Sequence, residues 1–272
     1  MNELTFKDIN KDFEIGKREV SHGSYCLPGT TGGICVDVGS NVGAFASLCR
    51  DSFDTIHCIE PSAECMRQAI QNLQRDGATN VVLHKHAVAK ESGKKIKLYR
   101  HGTGSSMNST TETHLKDQNY DFSNGEEVDT VSLEFIKDII AGGEEIKFLK
   151  VDCEGAEYEL LYGKDLSNIR WLGIELHASL SDKKLKALTS HIEKYFTLWY
   201  GRRASAGATH FEVTYVSKKL MQKLGEGLTM EVDYGKFLDT SMKYEKSNVV
   251  GGAFYLLRGL AKELSGTWPQ YK

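Results

Sequence analysis

Three charged residues lie close together at the end of an apolar run, and they are the first candidates for chemistry. Lys150, Asp152 and Glu154 follow the run Ile146–Leu149. Asp152 is our first choice for a functional acid, because a carboxylate there accepts a hydroxyl proton, holds a divalent metal or orients a substrate. Glu154 opens the next predicted helix, where the helix dipole also favours a carboxylate. A role in the chemistry and a purely structural role at the helix start are therefore equally supported for Glu154.

Lys150 and His177 are further candidates at the same edge. Lys150 alternates with Asp152 along a predicted strand, so we expect both side chains on one face. A lysine there either lowers the pKa of the acid or loses its own proton, depending on burial. His177 follows Glu175 at the end of the next predicted strand, and its ordinary pKa near neutrality suits a base. A histidine at a strand end is, however, more often a hydrogen-bonded packing residue.

A divalent metal is an open alternative at this edge. Asp152, Glu154, Glu175 and His177 together offer oxygen and nitrogen ligands that suit Mg²⁺ or another divalent ion. Their spacing in the sequence fixes no distance between them. We therefore predict no metal site.

A strand, a glycine turn and a helix are predicted within 34–50. The turn consists of Gly39, Ser40, Asn41, Val42 and Gly43. It lacks the middle glycine that brings the backbone to a pyrophosphate in the dinucleotide fingerprint G-x-G-x-x-G. Asp37 precedes the turn, and a carboxylate repels a pyrophosphate but attracts an ammonium group. S-adenosylmethionine (SAM) carries an amino-acid ammonium and no phosphate, so this turn favours SAM over NAD.

An acid at the end of the second predicted strand fits the same ligand. Glu60 lies 21 residues after Gly39, close to the spacing at which an acid binds the ribose diol. Pro61 cannot continue the strand, and Ser62 is a typical N-cap for the helix predicted at 63–75, which Gly77 stops.

Alternating strands and helices around these residues predict an α/β protein with a mostly parallel sheet, helices on both faces and an antiparallel strand at the edge. Ligands bind such sheets at the carboxyl ends of the strands, where the candidates above converge. The other predicted strands are 81–86, 95–99, 128–133, 146–151, 171–176, 196–200 and 210–216. The other predicted helices are 133–140, 155–163 and 182–195, and 101–125 is predicted to be a long polar loop.

Several of these stretches resemble one family. VDVGSNVGAF, IEPSAECMRQAIQNL, AVA, GSSM, IKFLKVDCEGAEYELLYG and WLGIELH are similar to segments of the FkbM family of SAM-dependent methyltransferases. The resemblance covers roughly residues 20 to 200, and Lys150–Glu157 is its most specific part. It implies a class I methyltransferase fold of the Rossmann-like type and O-methylation of a sugar, glycan or secondary metabolite.

The resemblance and the turn together define the predicted site. The predicted SAM-binding residues are Asp37, Gly39, Ser40, Asn41, Gly43, Glu60, Pro61, Ala87, Ser106 and Asp152. The predicted catalytic residues are Asp152, Glu154, His177 and Lys150.

Composition limits the choice of partners. The net charge is −3, so no global basic field gathers nucleic acid. No apolar run approaches ~20 residues and no secretory signal is visible near the start, so we expect neither a membrane span nor export. The six cysteines include no C-x-x-C pair, and we interpret them as reduced core thiols of a cytoplasmic protein.

We predict three segments along the chain. Residues 1–30 form an N-terminal cover over the pocket, 31–216 form the methyltransferase domain, and 217–272 form a C-terminal helical extension with a net charge of +3. Within that extension, 248–260 is apolar enough to pack on the core or on a second subunit, which leaves a homo-oligomer open.

Three other functions compete with the small-molecule O-methyltransferase. An RNA 2′-O-methyltransferase uses a lysine with acids on the same fold, but the core of this chain lacks the basic charge that RNA binding requires. A non-catalytic SAM-binding module would not need the Asp152 region. An NAD-dependent oxidoreductase would need the missing glycine.

Overall fold

A mostly parallel sheet of seven strands forms the centre of the protein. The computed structural model describes residues 6–21, 25, 32–101, 120–177, 182–203 and 210–224. The strands are β1 (Ile34–Val38), β2 (Thr55–Ile59), β3 (Val81–His84), β4 (Ala87–Val88), β5 (Lys95–His101), β6 (Tyr120–Val131), β7 (Ile146–Val151), β8 (Ile169–His177), β9 (Phe196–Arg203) and β10 (His210–Ser217). The helices are α1 (Phe6–Ser21), α2 (Ala44–Cys49), α3 (Ala63–Arg75), α4 (Leu133–Phe135), α5 (Glu157–Leu161), α6 (Asp182–Ile192) and α7 (Lys218–Leu224).

The order of the strands places a crevice between β1 and β7. The sheet runs β3-β2-β1-β7-β8-β10-β9, so the chain leaves β1 in one direction for β2 and returns on its other side as β7. Such a switch point is where ligands bind in open α/β sheets. β10 is antiparallel to both β8 and β9. The predicted fold class, a mostly parallel sheet with an antiparallel strand towards one edge, is confirmed.

A second, three-stranded sheet has the order β4-β6-β5. β5 ends at His101 and β6 begins at Tyr120, so the prediction of a polar loop over 101–125 was wrong for its first residue and its last six. The last six form a strand because they pair antiparallel with β5, where Arg100 lies opposite Asp121. This pairing satisfies backbone groups in a segment whose polar side chains indicate no strand. The rest of the predicted loop, 102–119, lies outside the described residues.

The two faces of the large sheet carry different cores. On one face Val36 and Val38 of β1 pack with Leu149 and Val151 of β7 in the larger core. On the other face Cys35 packs in a core that also contains Tyr25, Phe45, Phe148 and Trp171. Because side chains alternate along a strand, Asp37 and Lys150 lie on this second face.

Local sequence signals define α3. Ser62 Oγ accepts a hydrogen bond from the Cys65 N–H at 3.3 Å, and Gly77 has a φ of +71° just after the helix. The predicted bounds, cap and stop of this helix are confirmed. α5 is shorter than the predicted 155–163, because Glu154 and Gly155 have φ of +52° and +98° and cannot belong to a right-handed helix.

α1 packs against α2 and the glycine turn. Phe13 is fully buried in a small cluster with Val42 and Ala44. A Cβ on Gly16 would lie 2.8 Å from the Ala44 Cβ, so the two helices touch closely. α1 thereby braces the helix that begins at the glycine turn.

Two global features complete the description. No helix in the described part of the chain is long and apolar enough to cross a membrane. Five of the six cysteines are free thiols, as predicted, and Cys26 lies outside the described residues.

Candidate functional site

A buried ion pair joins β1 and β7 at the crevice. Asp37 and Lys150 lie side by side in the parallel pairing of the two strands. Asp37 Oδ1 is 3.0 Å from Lys150 Nζ, and the side chains are 0% and 5% exposed. Lys150 Nζ also donates to the Gly39 carbonyl oxygen at 3.1 Å. Lys150 therefore links the end of β7 to the glycine turn that follows β1.

Lys150 is held in its charged form. Burial alone would lower the pKa of Lys150, but Asp37 and Asp152 raise it above its ordinary value. Of the two alternatives drawn from the sequence, a charged lysine beside the acid is therefore the one that the structure supports. A lysine held this way supplies positive charge and does not take up a proton.

Asp152 lies at the open end of this pair. Its Oδ2 is 3.5 Å from Lys150 Nζ, and the Tyr25 hydroxyl donates to the same oxygen at 3.4 Å. The Asp152 side chain is 27% exposed, whereas Asp37 is fully buried. Asp152 is thus the carboxylate of this group that an incoming molecule can reach.

Two buried polar atoms at the turn lack partners. Asp37 Oδ2 has no hydrogen-bond partner among the described residues, and Ser40 Oγ has no oxygen or nitrogen partner there. Burial raises the pKa of Asp37, and Lys150 opposes this rise. Buried polar groups are rarely left unpaired in native proteins. A ligand group that donates hydrogen bonds, and an ammonium above all, fits this position.

Gly39 is required by a contact within the protein. Its φ is +75°, and a Cβ on it would lie 1.7 Å from the backbone oxygen of Asp152. The sequence predicts Gly39 in a tight turn that binds a ligand, and the structure adds the close approach of the loops after β1 and β7. Asn41 also has a positive φ, +47°, in the same turn.

Glu60 fastens the glycine turn to the end of β2. Its Oε2 accepts the Asn41 N–H at 3.0 Å and its Oε1 accepts the Ser62 N–H at 2.8 Å. Burial raises the pKa of Glu60 to about 7, although the N–H groups of Ser62 and Asn41 lower it. Each oxygen keeps a second lone pair, so a ribose diol fits the carboxylate in addition to these bonds.

Glu157 organises the loop that carries Asp152. It is fully buried, and its Oε1 accepts the N–H groups of Cys153 and Gly155, each at 3.2 Å. Glu154 precedes α5 by three residues and takes a left-handed conformation, so the expected position of Glu154 at the helix start was wrong. Glu157 is the acid at the start of this helix.

Two acids on β8 and β10 extend the polar row on this face of the sheet. Glu175 lies directly opposite Glu212 in the antiparallel pairing, and Glu212 is 5% exposed. Glu212 is not among the residues predicted from the sequence. Its signal was the alternation along β10, which places it on the face of buried Thr214. The backbone of His177 ends β8 opposite His210, and the side chains of both histidines lie outside the described residues.

The remaining predicted residues lie at the periphery or outside the described part of the chain. Pro61 is half-buried between β2 and α3, and Ala87 packs in β4 with Leu98 and Val128. Ser106 lies outside the described residues. Among the described residues, no group of three or more His, Cys, Asp or Glu side chains is arranged to hold a metal ion.

Comparison with solved structures finds proteins of related shape. The chain aligns with the methyltransferase FkbM of Methylobacillus flagellatus at 16% identity and a TM-score of 0.45, over 70% of this chain and 44% of that one. It aligns with TrmK of M. capricolum, solved with S-adenosylhomocysteine, at 11% identity and a TM-score of 0.42, over 96% of each chain. It aligns with fibrillarin of Aeropyrum pernix, solved with bound SAM, at 12% identity and a TM-score of 0.41, over 70% and 69%.

The sheet order and the polar group at its switch point define an α/β protein with a ligand crevice between β1 and β7. Residues 37–207, more than half of the chain, match the model of the methyltransferase FkbM domain. The chain belongs to this family, as the sequence motifs predict. It spans less than half the length of the solved family member. No curated protein sequence matches it.

Proposed function

We propose that this chain is a SAM-dependent O-methyltransferase that methylates a hydroxyl group of a sugar, glycan or secondary metabolite. The observation that carries the proposal is the pairing of a buried, charged Lys150 with the accessible carboxylate of Asp152 at the switch point of the sheet. Family membership supports the methyl transfer. The accessible carboxylate of Asp152, beside a charged Lys150, supports transfer of a proton from the acceptor hydroxyl to Asp152.

The turn after β1 fits SAM. We assign the SAM ammonium to Asp37 and Ser40, because Asp37 Oδ2 and Ser40 Oγ are buried oxygens with no nitrogen or oxygen partner among the described residues and can accept hydrogen bonds from a cation. We assign the ribose diol to Glu60, which already lies against the Asn41 backbone. Gly39 and Gly43 allow the turn that brings these groups together. When bound, SAM supplies a methyl group that is already activated for transfer.

Asp152 acts as the base in this proposal. The Asp152 carboxylate takes up the proton of the acceptor hydroxyl, and SAM, when bound, would supply the methyl group to the hydroxyl oxygen and leave as S-adenosylhomocysteine. Lys150 keeps its charge throughout and holds Asp152 in place. A positioned base typically contributes about 10²–10⁴-fold to a rate. Holding the acceptor in line with the methyl group supplies much of the remainder.

The charge of the site favours an acceptor without phosphates. Asp37, Asp152, Glu175 and Glu212 share one face of the sheet, and Lys150 pairs with Asp37 and Asp152. Phosphate groups near such a set of carboxylates are repelled, most strongly where water is excluded. The negative charge of this face supports a neutral acceptor over RNA, and RNA 2′-O-methylation is the alternative to be tested.

The first experiment is calorimetric titration with S-adenosylhomocysteine, with NAD as the control. We expect micromolar binding of the former and none of NAD. A screen of sugars, polyols and RNA follows, with and without Mg²⁺, scored by formation of S-adenosylhomocysteine from SAM. NAD binding would instead indicate an oxidoreductase.

The Asp152→Asn variant separates an enzyme from a binding module. It should bind S-adenosylhomocysteine as the wild type does and lose turnover by at least about 100-fold. Asp165→Asn, which changes an exposed acid that pairs with Lys137, is the matched control and should keep full turnover. An Asp152→Asn variant with wild-type turnover would remove Asp152 from the mechanism.

A further inference from the structure

We propose that Tyr25 is a positioning residue that, together with Lys150, anchors Asp152 through one carboxylate oxygen and leaves the other oxygen for the acceptor proton. This inference rests on the proposed function, in which Asp152 is the base. Tyr25 belongs to a stretch of sequence in which neither a motif nor periodicity indicates a functional residue.

Both contacts to Asp152 go to the same oxygen. The Tyr25 hydroxyl is 3.4 Å from Oδ2, and Lys150 Nζ is 3.5 Å from it. Among the described residues, nothing donates a hydrogen bond to Oδ1. The two donors therefore fix the rotation of the carboxylate and present Oδ1, in a side chain that is 27% exposed, to an incoming hydroxyl.

Packing holds the Tyr25 ring in the place that this contact needs. Tyr25 is 5% exposed and meets the Phe45 ring edge to face at 6.0 Å. Lys150 Nζ lies 5.9 Å from the centre of the Tyr25 ring. A Cβ on Gly173 would come within 2.9 Å of the same ring, so the bare backbone of β8 makes room for it. The ring cannot tilt without breaking these contacts, and the direction of its hydroxyl is thereby set.

The Tyr25 hydroxyl stays a donor. Burial raises the pKa of Tyr25 well above its ordinary value, and the charges of Asp152, Glu175, Glu212 and Asp37 raise it further. The phenol therefore keeps its proton wherever the protein is folded. Its bond to Asp152 is long for a hydroxyl, and catalytic hydrogen bonds of ligand-free enzymes commonly shorten once the substrate is bound.

Tyr25→Phe tests the inference kinetically, because it removes the hydroxyl and keeps the ring. With the acceptor found by the screen, we expect kcat to fall about tenfold while the KM for SAM and the affinity for S-adenosylhomocysteine change less than twofold. Tyr158→Phe on α5 is the matched control and should leave kcat unchanged. A Tyr25→Phe enzyme with wild-type kcat would overturn the inference.

A second measurement needs no turnover. In protein labelled with 3-fluorotyrosine, the ¹⁹F resonance that Tyr25→Phe abolishes belongs to Tyr25. We expect Asp152→Asn to shift this resonance and Asp165→Asn to leave it in place. An unmoved resonance in Asp152→Asn means that the contact is absent and overturns the positioning role.

The kinetic test and the ¹⁹F measurement also separate this inference from the proposed function. Failure to bind S-adenosylhomocysteine, or binding without turnover on any acceptor, counts against the proposed function, and the ¹⁹F shift still decides whether Tyr25 contacts Asp152.

Discussion

At the scale of a single residue, the protonation of the Glu60 carboxyl should be linked to cofactor binding. In the ligand-free protein this carboxyl has a pKa of about 7, so it is about half protonated near neutrality. Ribose hydroxyls donate hydrogen bonds best to the charged carboxylate. Binding of the cofactor should therefore favour loss of the Glu60 proton.

This linkage predicts how affinity depends on pH. With a pKa of about 7, only about one tenth of the protein carries a charged Glu60 at pH 6, and nearly all of it does at pH 8. We expect S-adenosylhomocysteine to bind about tenfold more weakly at pH 6 than at pH 8, because affinity scales with the competent fraction. Calorimetry across this range provides the measurement. Glu60→Gln should bind more weakly and lose most of the dependence, and a flat wild-type profile would contradict the assignment.

Lys150 is the counter-charge of the fully buried Asp37, so its removal should be severe. Lys150→Met leaves the buried Asp37 carboxylate without its counter-charge, and loss of one partner of a buried pair costs about 3–5 kcal/mol. We expect this loss in urea unfolding. The double variant Lys150→Met/Asp37→Asn should recover much of the stability but not the turnover.

An exposed lysine provides the comparison. Lys94 pairs with Glu91 at 3.7 Å on the surface, where both side chains are 65% exposed, and Lys94→Met should cost less than about 1 kcal/mol. If Lys150→Met proved as stable as Lys94→Met, the ion pair with Asp37 would not contribute to the fold.

At the scale of elements, the glycine turn and the loop after β7 depend on each other. Gly39→Ala would place a methyl group 1.7 Å from a backbone oxygen, which cannot move aside as a flexible side chain can. We expect a loss of at least about 3 kcal/mol in the free energy of unfolding, measured with urea.

Gly93→Ala is the matched control, since Gly93 also has a positive φ, +74°, but nothing lies within 4 Å of its Cβ position. It should cost about 1–2 kcal/mol, from backbone strain alone. Equal losses in the two variants would show that the loops do not meet.

The elements of the fold were largely predictable where their signals are local. α3 carries its own cap at Ser62 and its own stop at Gly77, and the sequence predicts both ends. The start of β6 was not predictable, because Tyr120 and its neighbours form a strand only by pairing with β5, which lies about 20 residues away in sequence.

The candidate site divides in the same way. The meeting of Asp37, Lys150 and Asp152 was predictable, since carboxyl ends of neighbouring parallel strands share one edge of the sheet. Tyr25 was not, because it reaches Asp152 across 127 residues from a segment without periodicity. Glu212 required knowledge of which face of β10 is buried, and that depends on the pairing of β10 with β8.

At the scale of the whole molecule, α1 is tied to the cofactor half of the sheet through Asp76. This residue follows α3 and accepts hydrogen bonds from Lys17 of α1 at 2.8 Å, from Ser47 of α2 at 2.5 Å and from Arg75 at 3.2 Å. Burial would raise the pKa of Asp76, but Lys17, Ser47 and Arg75 lower it to about 2. One carboxylate thus joins three helices around the glycine turn.

Asp76→Ala should therefore weaken both folding and binding. Hydrogen bonds to a charged group contribute about 1.5–3 kcal/mol, and we expect a loss of about 2 kcal/mol in urea unfolding at pH 7. Because the pKa of Asp76 is depressed in the folded state, its stabilisation is present above pH ~4 and is lost as the pH falls towards about 2. The variant should accordingly lose less stability than the wild type between pH 4 and pH 2. The affinity for S-adenosylhomocysteine should fall several-fold, since α1 braces the helix that begins at the turn.

Asp51→Ala is the control for this last prediction, because Asp51 is 86% exposed and lies 3.8 Å from Arg50 in a surface ion pair. Such a pair contributes less than about 1 kcal/mol, so this variant should keep both stability and affinity. If Asp76→Ala lost stability but bound S-adenosylhomocysteine as the wild type does, α1 would stabilise the fold without shaping the turn. If it lost neither, the three hydrogen bonds to Asp76 would not hold α1 in place, and the bracing of the glycine turn would depend on Phe13 and its apolar contacts alone.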